Sequence, residues 1–332
     1  MKVHLLLFLL VSSLIACTSN TENQDNTSFK VGLVLDRGGK DDKSFNTAAY
    51  TGATKAKQEL DIQLKDVESP DDAAFEPAMR TFAEREFPLV IAIGFSQKDA
   101  LEKVAPQFPK TKFTLVDAVV TGDNVQSLMF SEHEGSYLVG YLSGLATKTN
   151  VVGFIGGMDI ALIRRFHMGF EAGVKAANPK AKILVNYVGI TGEAWANPNR
   201  GKELARGQYG RKADIIYAAA GATNLGIFDA AEEKGLYAIG VDSNQNGVKP
   251  GHILTSMLKR VDVAVFEAIK DAKNGQWKAG TRYFGLADKG IDIAIDENNE
   301  KLIAPYKEKI EKVKQDIISG KIQVPDYYKL RK

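Results

Sequence analysis

Three aspartates stand where apolar runs stop. Asp36 ends "FKVGLVLD", Asp117 interrupts "FTLVDAVV" and Asp242 ends "AIGVD", while Gly221 follows "IIYAAA" in the same kind of position. If these runs are strands of an open parallel sheet, their carboxyl ends are where such a sheet binds ligands. A buried carboxylate needs hydrogen-bond donors, which the hydroxyls of a bound polyol would provide. The alternative is that each aspartate caps the helix after it. A single strand-end aspartate is open to either reading; three together favour a binding purpose.

A second stretch, "DRGGKDDKSFN", begins at Asp36. Gly38 and Gly39 let the chain turn sharply off the strand. Asp41 and Asp42 suit the turn and the helix start better than a cation site, because neighbouring side chains diverge. Phe45 and Asn46 then stand where a helix begins. By periodicity, Phe45 is simply the first residue of an apolar helix face.

Catalytic chemistry finds little support. The four histidines, His4, His133, His167 and His252, are scattered, and the one cysteine, Cys17, lies near the start of the chain. No metal-ligand spacing is present. There is no nucleophile elbow and no phosphate loop. "GFIGGMD" is glycine-rich but does not fit the dinucleotide fingerprint, and reads as a tight turn. No metal, cofactor or enzymatic activity is expected.

These residues need a scaffold, and the chain supplies one by alternation. From Phe29 onward, short apolar runs alternate with stretches of helical periodicity. That pattern implies parallel sheets with helices on both faces, an α/β fold. The pattern restarts near Asn150, which favours two similar lobes. "HILTSMLKR" reads as a strand arriving after the second lobe is complete. The chain is therefore expected to cross back there and again before the end. The expected lobes are 29–148 plus about 258–287, and 149–257 plus about 288–332, with the final helix on the second.

The beginning of the chain reads differently. Residues 1–16 have a basic start, an apolar run and small residues, the layout of a secretory signal too short to span a membrane comfortably. "LIAC" ends in Cys17 and resembles a bacterial lipobox, whose cysteine carries lipid such as palmitate; the alternative is an ordinary signal with a chance cysteine. Residues 17–28 are polar and read as a tether. Hydrophobic residues make up 44% and charged residues 25%, as in a soluble globular protein. A net charge of +2 argues against a nucleic-acid partner.

"DRGGKDDKSFNTAAYTG" resembles the opening motif of the basic membrane protein lipoproteins, the purine nucleoside receptor A-like family. "FIGGMDIALIRRFHMGFEAG", "AAAGATNLGIFDAA", "AIGVDSNQ" and "ILTSMLKRVDVAV" continue the resemblance along the mature chain. It implies a type I periplasmic-binding-protein fold, two doubly wound parallel-sheet lobes joined by a multi-strand hinge. It further implies a monomeric, lipid-anchored receptor that delivers purine nucleosides to an ABC permease. Carried over by position, Asp36, Phe45 and Asn46 belong to the first lobe's motif, where the aromatic stacks on the base and the amide bonds it. Asp117 matches an acid that recognises the base. Gly221 lies in a turn beside the ligand, and Asp242 and Lys259 match the residues that hold the ribose. Aligned on Gly201 and Lys202, "GEAWANPNRGK" puts Trp195 at the second stacking aromatic, with Asn197 in place of an acid. The same fold also carries receptors for sugars or signalling molecules, and some relatives are described as adhesins.

Overall fold

The computed structural model describes residues 28–330. The expected signal, Cys17 and all but the last residue of the tether lie outside these residues. The chain builds two six-stranded sheets. The first is laid down by β1 (Phe29–Leu35), α1 (Phe45–Glu59), β2 (Ile62–Glu68), α2 (Phe75–Glu84), β3 (Leu89–Ile93), α3 (Lys98–Val104), β4 (Lys112–Val116) and β5 (Val125–Phe130). The second follows with α4 (Glu132–Ala146), β6 (Val151–Met158), α5 (Ala161–Ala177), β7 (Lys182–Gly189), α6 (Pro198–Gly210), β8 (Ile215–Ala219), α7 (Asn224–Lys234), β9 (Tyr237–Asp242) and β10 (Ile253–Lys259). The chain then returns to the first sheet through α8 (Val261–Lys273) and β11 (Gly280–Phe284). It ends on the second with β12 (Ile291–Ile293), α9 (Glu300–Ile303) and α10 (Lys307–Ile318).

The strand orders are β11-β5-β4-β3-β1-β2 and β12-β10-β9-β8-β6-β7. Every pairing is parallel except β10 with β12. The central strands β3 and β8 are buried at every residue, as sheets covered on both faces require. In the first lobe, α2 and α3 cover one face around Phe75, Phe82 and Phe113. In the second, α6 and α7 do so around Tyr209 and Phe228. The remaining faces share one continuous core that passes from lobe to lobe.

Three connections join the lobes: Ser131 between β5 and α4, Arg260 between β10 and α8, and residues 285–290 between β11 and β12. They are tied together, since Ser131 N donates to Phe284 O at 2.8 Å and Arg260 N to Gly290 O at 2.9 Å. One expectation needs correction. Helix α4 falls within residues 29–148, yet it packs on α5, β10, β12 and α10 of the second lobe. The chain thus leaves the first sheet at Ser131. Glycines make the contact close: a Cβ added at Gly140 would overlap the Phe170 carbonyl, and one at Gly173 the Tyr137 carbonyl. Alternation of strand and helix reveals a helix after β5 but not which sheet it covers.

Candidate functional site

The site begins with the turn after β1. Asp42 is 2% exposed and acts as the cap of α1. Its Oδ1 accepts from Ser44 N (2.8 Å) and Thr47 N (3.0 Å), and its Oδ2 from Asn46 N (2.9 Å) and Asn46 Nδ2 (3.1 Å). Asp41 is exposed, so the adjacent acids do diverge. This cap holds Phe45, half-buried, at the mouth of a cavity between the lobes. The cavity has about 560 Å³ of space, part of it open to solvent.

The fold brings all eight expected residues to this cavity. Asp36, Phe45, Asn46 and Asp117 reach it from the first lobe. Trp195, Gly221, Asp242 and Lys259 reach it from the second. Asn46 is used differently from expectation, because its amide is committed to the protein. Its Oδ1 accepts from Asp36 N at 2.9 Å, and its Nδ2 donates to Arg37 O and Asp42. No amide hydrogen is left for a ligand; Asn46 fixes the turn that presents Asp36 and Phe45.

Burial dominates the electrostatics. It pushes the Asp36 carboxyl up to about 6, opposed by hydrogen bonds from Ser96 Oγ (2.7 Å) and Arg37 N (2.8 Å). It pushes Asp242 to about 7, with Lys259 and the Ser44 hydroxyl at 2.6 Å pulling the other way. Asp117 rises to about 6 for the same reason, against the pull of Lys259. Burial works against the Lys259 ammonium, yet Asp117, Glu132 and Asp242 hold it above its ordinary value. Asp117 and Asp242 have φ of 74° and 65°. Such left-handed backbone costs on the order of 1–3 kcal/mol outside glycine and collects at functional sites.

The oxygens of Asp117 are not equivalent. Oδ2 lies 2.5 Å from Lys259 Nζ, whereas Oδ1 is buried and has no hydrogen-bond partner among the described residues. An unpaired buried acceptor costs about 1–3 kcal/mol, which a donor on a bound molecule would recover.

Aromatic rings line the cavity from both lobes. Trp195 ends a short 3₁₀ turn, Gly192–Trp195, and meets Phe95 of the first lobe edge-on at 6.1 Å and 70°. Its indole sits on Gly157, where an added Cβ would overlap the ring. Lys259 Nζ lies 5.2 Å from the Phe45 ring and 5.6 Å from that of Phe166. Asn197 caps α6 by accepting from Arg200 N at 3.0 Å. Phe95, Phe166 and Arg37 also line the cavity and carry no sequence signal that separates them from core or surface. Glu132, which the sequence reading missed, stands two residues after the apolar run "NVQSLMF", a weaker form of the strand-end signal carried by Asp36 and Asp242. Among the described residues, no group of three or more His, Cys, Asp or Glu side chains is arranged to hold a metal.

A model of the ABC transporter substrate-binding protein PnrA-like family, Bmp, matches residues 29–327. The chain belongs to this family. Bmp proteins are substrate-binding components of ABC transporters, which bind and do not catalyse. The chain is 35% identical to the CD4+ T-cell-stimulating antigen of Listeria monocytogenes, over 94% of each. It is 31% identical to the ABC transporter nucleoside-binding protein BmpA of Lactococcus lactis, over 92% of each. Its fold matches an ABC transporter solute-binding protein from Aeropyrum pernix with a TM-score of 0.81 and 30% identity, over 90% of this chain and 94% of that one. The two-lobed architecture is thus that of type I solute-binding proteins.

Proposed function

We propose that this Bmp protein captures a purine nucleoside between its lobes and passes it to an ABC permease, as a monomer held to the outer face of a cell membrane by lipid on Cys17. The observation that carries the reading is Asp117 Oδ1, a buried acceptor without a partner in a cavity flanked by aromatic rings. A flat base stacks between such rings, and the edge of a purine supplies the N–H donor that a carboxylate accepts. Phe45 and Trp195 are the stacking faces. Asp117 reads the base edge, and Asp36 offers a second carboxylate in the same cavity. Asp242 accepts from ribose hydroxyls, Lys259 balances the acids, and Gly221 lets the backbone pass close to the ligand.

Four carboxylates, Asp36, Asp42, Asp117 and Asp242, outnumber Arg37 and Lys259 in the cavity lining and repel phosphate, so nucleosides bind and nucleotides do not. Calorimetry of the protein lacking residues 1–17 against guanosine, inosine, adenosine, their monophosphates, free bases and pentoses tests this directly. Binding of at least one purine nucleoside, with none of its monophosphate, is expected. Preference for a free sugar, or equal binding of nucleotide, would overturn the reading. Cys17→Ser should release the protein from the membrane fraction; retention there would refute the anchor.

A further inference from the structure

Asp117 is one end of a chain of alternating charge that leaves the cleft and runs through the connections between the lobes. Lys259 Nζ lies 2.5 Å from Asp117 Oδ2 and 3.2 Å from Glu132 Oε1. Glu132 Oε2 in turn lies 2.7 Å from Arg165 Nη1. Arg165 donates Nε and Nη2 to the two oxygens of Asp326, at 2.8 and 3.1 Å. The same guanidinium donates to the carbonyl of Phe130, the last residue of β5 before the first crossing. Lys259, Glu132 and Arg165 are 1%, 0% and 3% exposed, so this is no surface network. Two of its members, Glu132 and Lys259, sit directly beside two of the three crossings.

The far end of the chain is the tail beyond α10. Asp326 belongs to no helix or strand. The Tyr328 ring lies 4.8 Å from the Arg165 guanidinium, and Arg164 Nη1 donates to the Tyr327 hydroxyl at 3.0 Å. Anchoring a tail needs only surface contacts such as that of Arg164. Arg165 instead offers its fork to the tail on one side and to the hinge on the other. A buried guanidinium that loses one of two carboxylates must rebalance on what remains, at considerable cost.

We propose that the tail around Asp326 is a strap that fixes Arg165 on the hinge, and that Arg165 and Glu132 are positioning residues acting through Lys259 on the Asp117 carboxylate in the cleft. Without the Asp326 charge, Arg165 draws on Glu132 alone, Glu132 moves off Lys259, and Lys259 leans on Asp117. The charged and titratable groups facing this set are Asp242 from β9, His133 and Glu134 from α4, Tyr217 from β8, and Tyr328 and Lys329 from the tail. Removing a negative charge from this set favours the ionised form of Asp117. The nucleoside reading enters only through the ligand chosen below.

The test compares full-length wild type with Asp326→Asn, Asp326→Glu and Arg165→Lys, which keeps the charge but loses the fork. Hydrogen–deuterium exchange of the ligand-free proteins should quicken in Asp326→Asn and Arg165→Lys at residues 117–120 and 257–261, as well as in the tail. Guanosine affinity should fall about tenfold, the acid limb of its pH profile should move to lower pH, and Asp326→Glu should restore most of both. Exchange changes confined to the tail and α5, with the affinity and pH profile of wild type, would overturn the strap. If wild type binds no nucleoside but the exchange change still reaches 117–120, the strap stands and the nucleoside reading falls.

Discussion

Gly157 decides whether Trp195 can stand in the cleft. A methyl at this position would overlap the indole, while the strand backbone of β6 accepts alanine. Gly157→Ala should therefore displace Trp195 and weaken nucleoside binding about tenfold or more, as loss of one stacking face worth about 1–3 kcal/mol implies. Calorimetry beside thermal melting separates this from a general loss of stability. Asp242 offers a test in pH. Its folded carboxyl titrates near 7, above the ordinary 3.8, so its contribution to stability is fully present below about 4 and is lost as pH rises through 7. Asp242→Asn mimics the protonated form. It should match wild type most closely near pH 4 and gain on it as pH rises to 8; urea melts at the two pH values check the sign. The strand-end aspartates were legible because each interrupts an apolar run. The sequence does not say that both amide hydrogens of Asn46 are already taken by Arg37 and Asp42.

At the scale of elements, α1 depends on a cap two residues before the residue adjoining it. Ser44 precedes the helix but makes no capping bond with its side chain; Asp42 supplies those bonds. Asp42→Ala should cost about 2 kcal/mol, visible as a lower Tm. It should also lower ligand affinity, since the same turn presents Phe45 and Asp36. The buried strands β1, β3 and β8 could be read from periodicity and turn residues, whereas β2, α3 and α8 were not read. The allegiance of α4 could not be read. Its glycines at 140 and 144 look like weak points in a helix, and only contact with α5 shows them to be the seam that draws it onto the second lobe.

The whole molecule is two lobes meeting at a cleft, and their contact is explicit. Ser44 Oγ donates to Asp242 Oδ2, Ser243 Oγ donates to Ser44 O at 2.7 Å, and Gln245 Nε2 donates to Lys43 O at 2.9 Å, all from one lobe to the other. Ser243→Ala removes one of these bonds without touching the cavity lining. A net loss of about 1 kcal/mol should weaken ligand retention several-fold, chiefly as faster release in stopped-flow measurements, with an unchanged Tm. An unaltered release rate would show that this contact does not persist in the bound form. The sequence by itself determined the two α/β lobes, the strand-end acids and the family, because all three are written in local patterns of hydrophobicity, turns and motifs. The tertiary structure alone decided that the chain leaves the first sheet at Ser131, that Phe95 faces Trp195, and that Lys259, Glu132, Arg165 and Asp326 form one buried chain of charge. Those are pairings between residues far apart along the chain, and a pairing energy leaves no local periodicity to read.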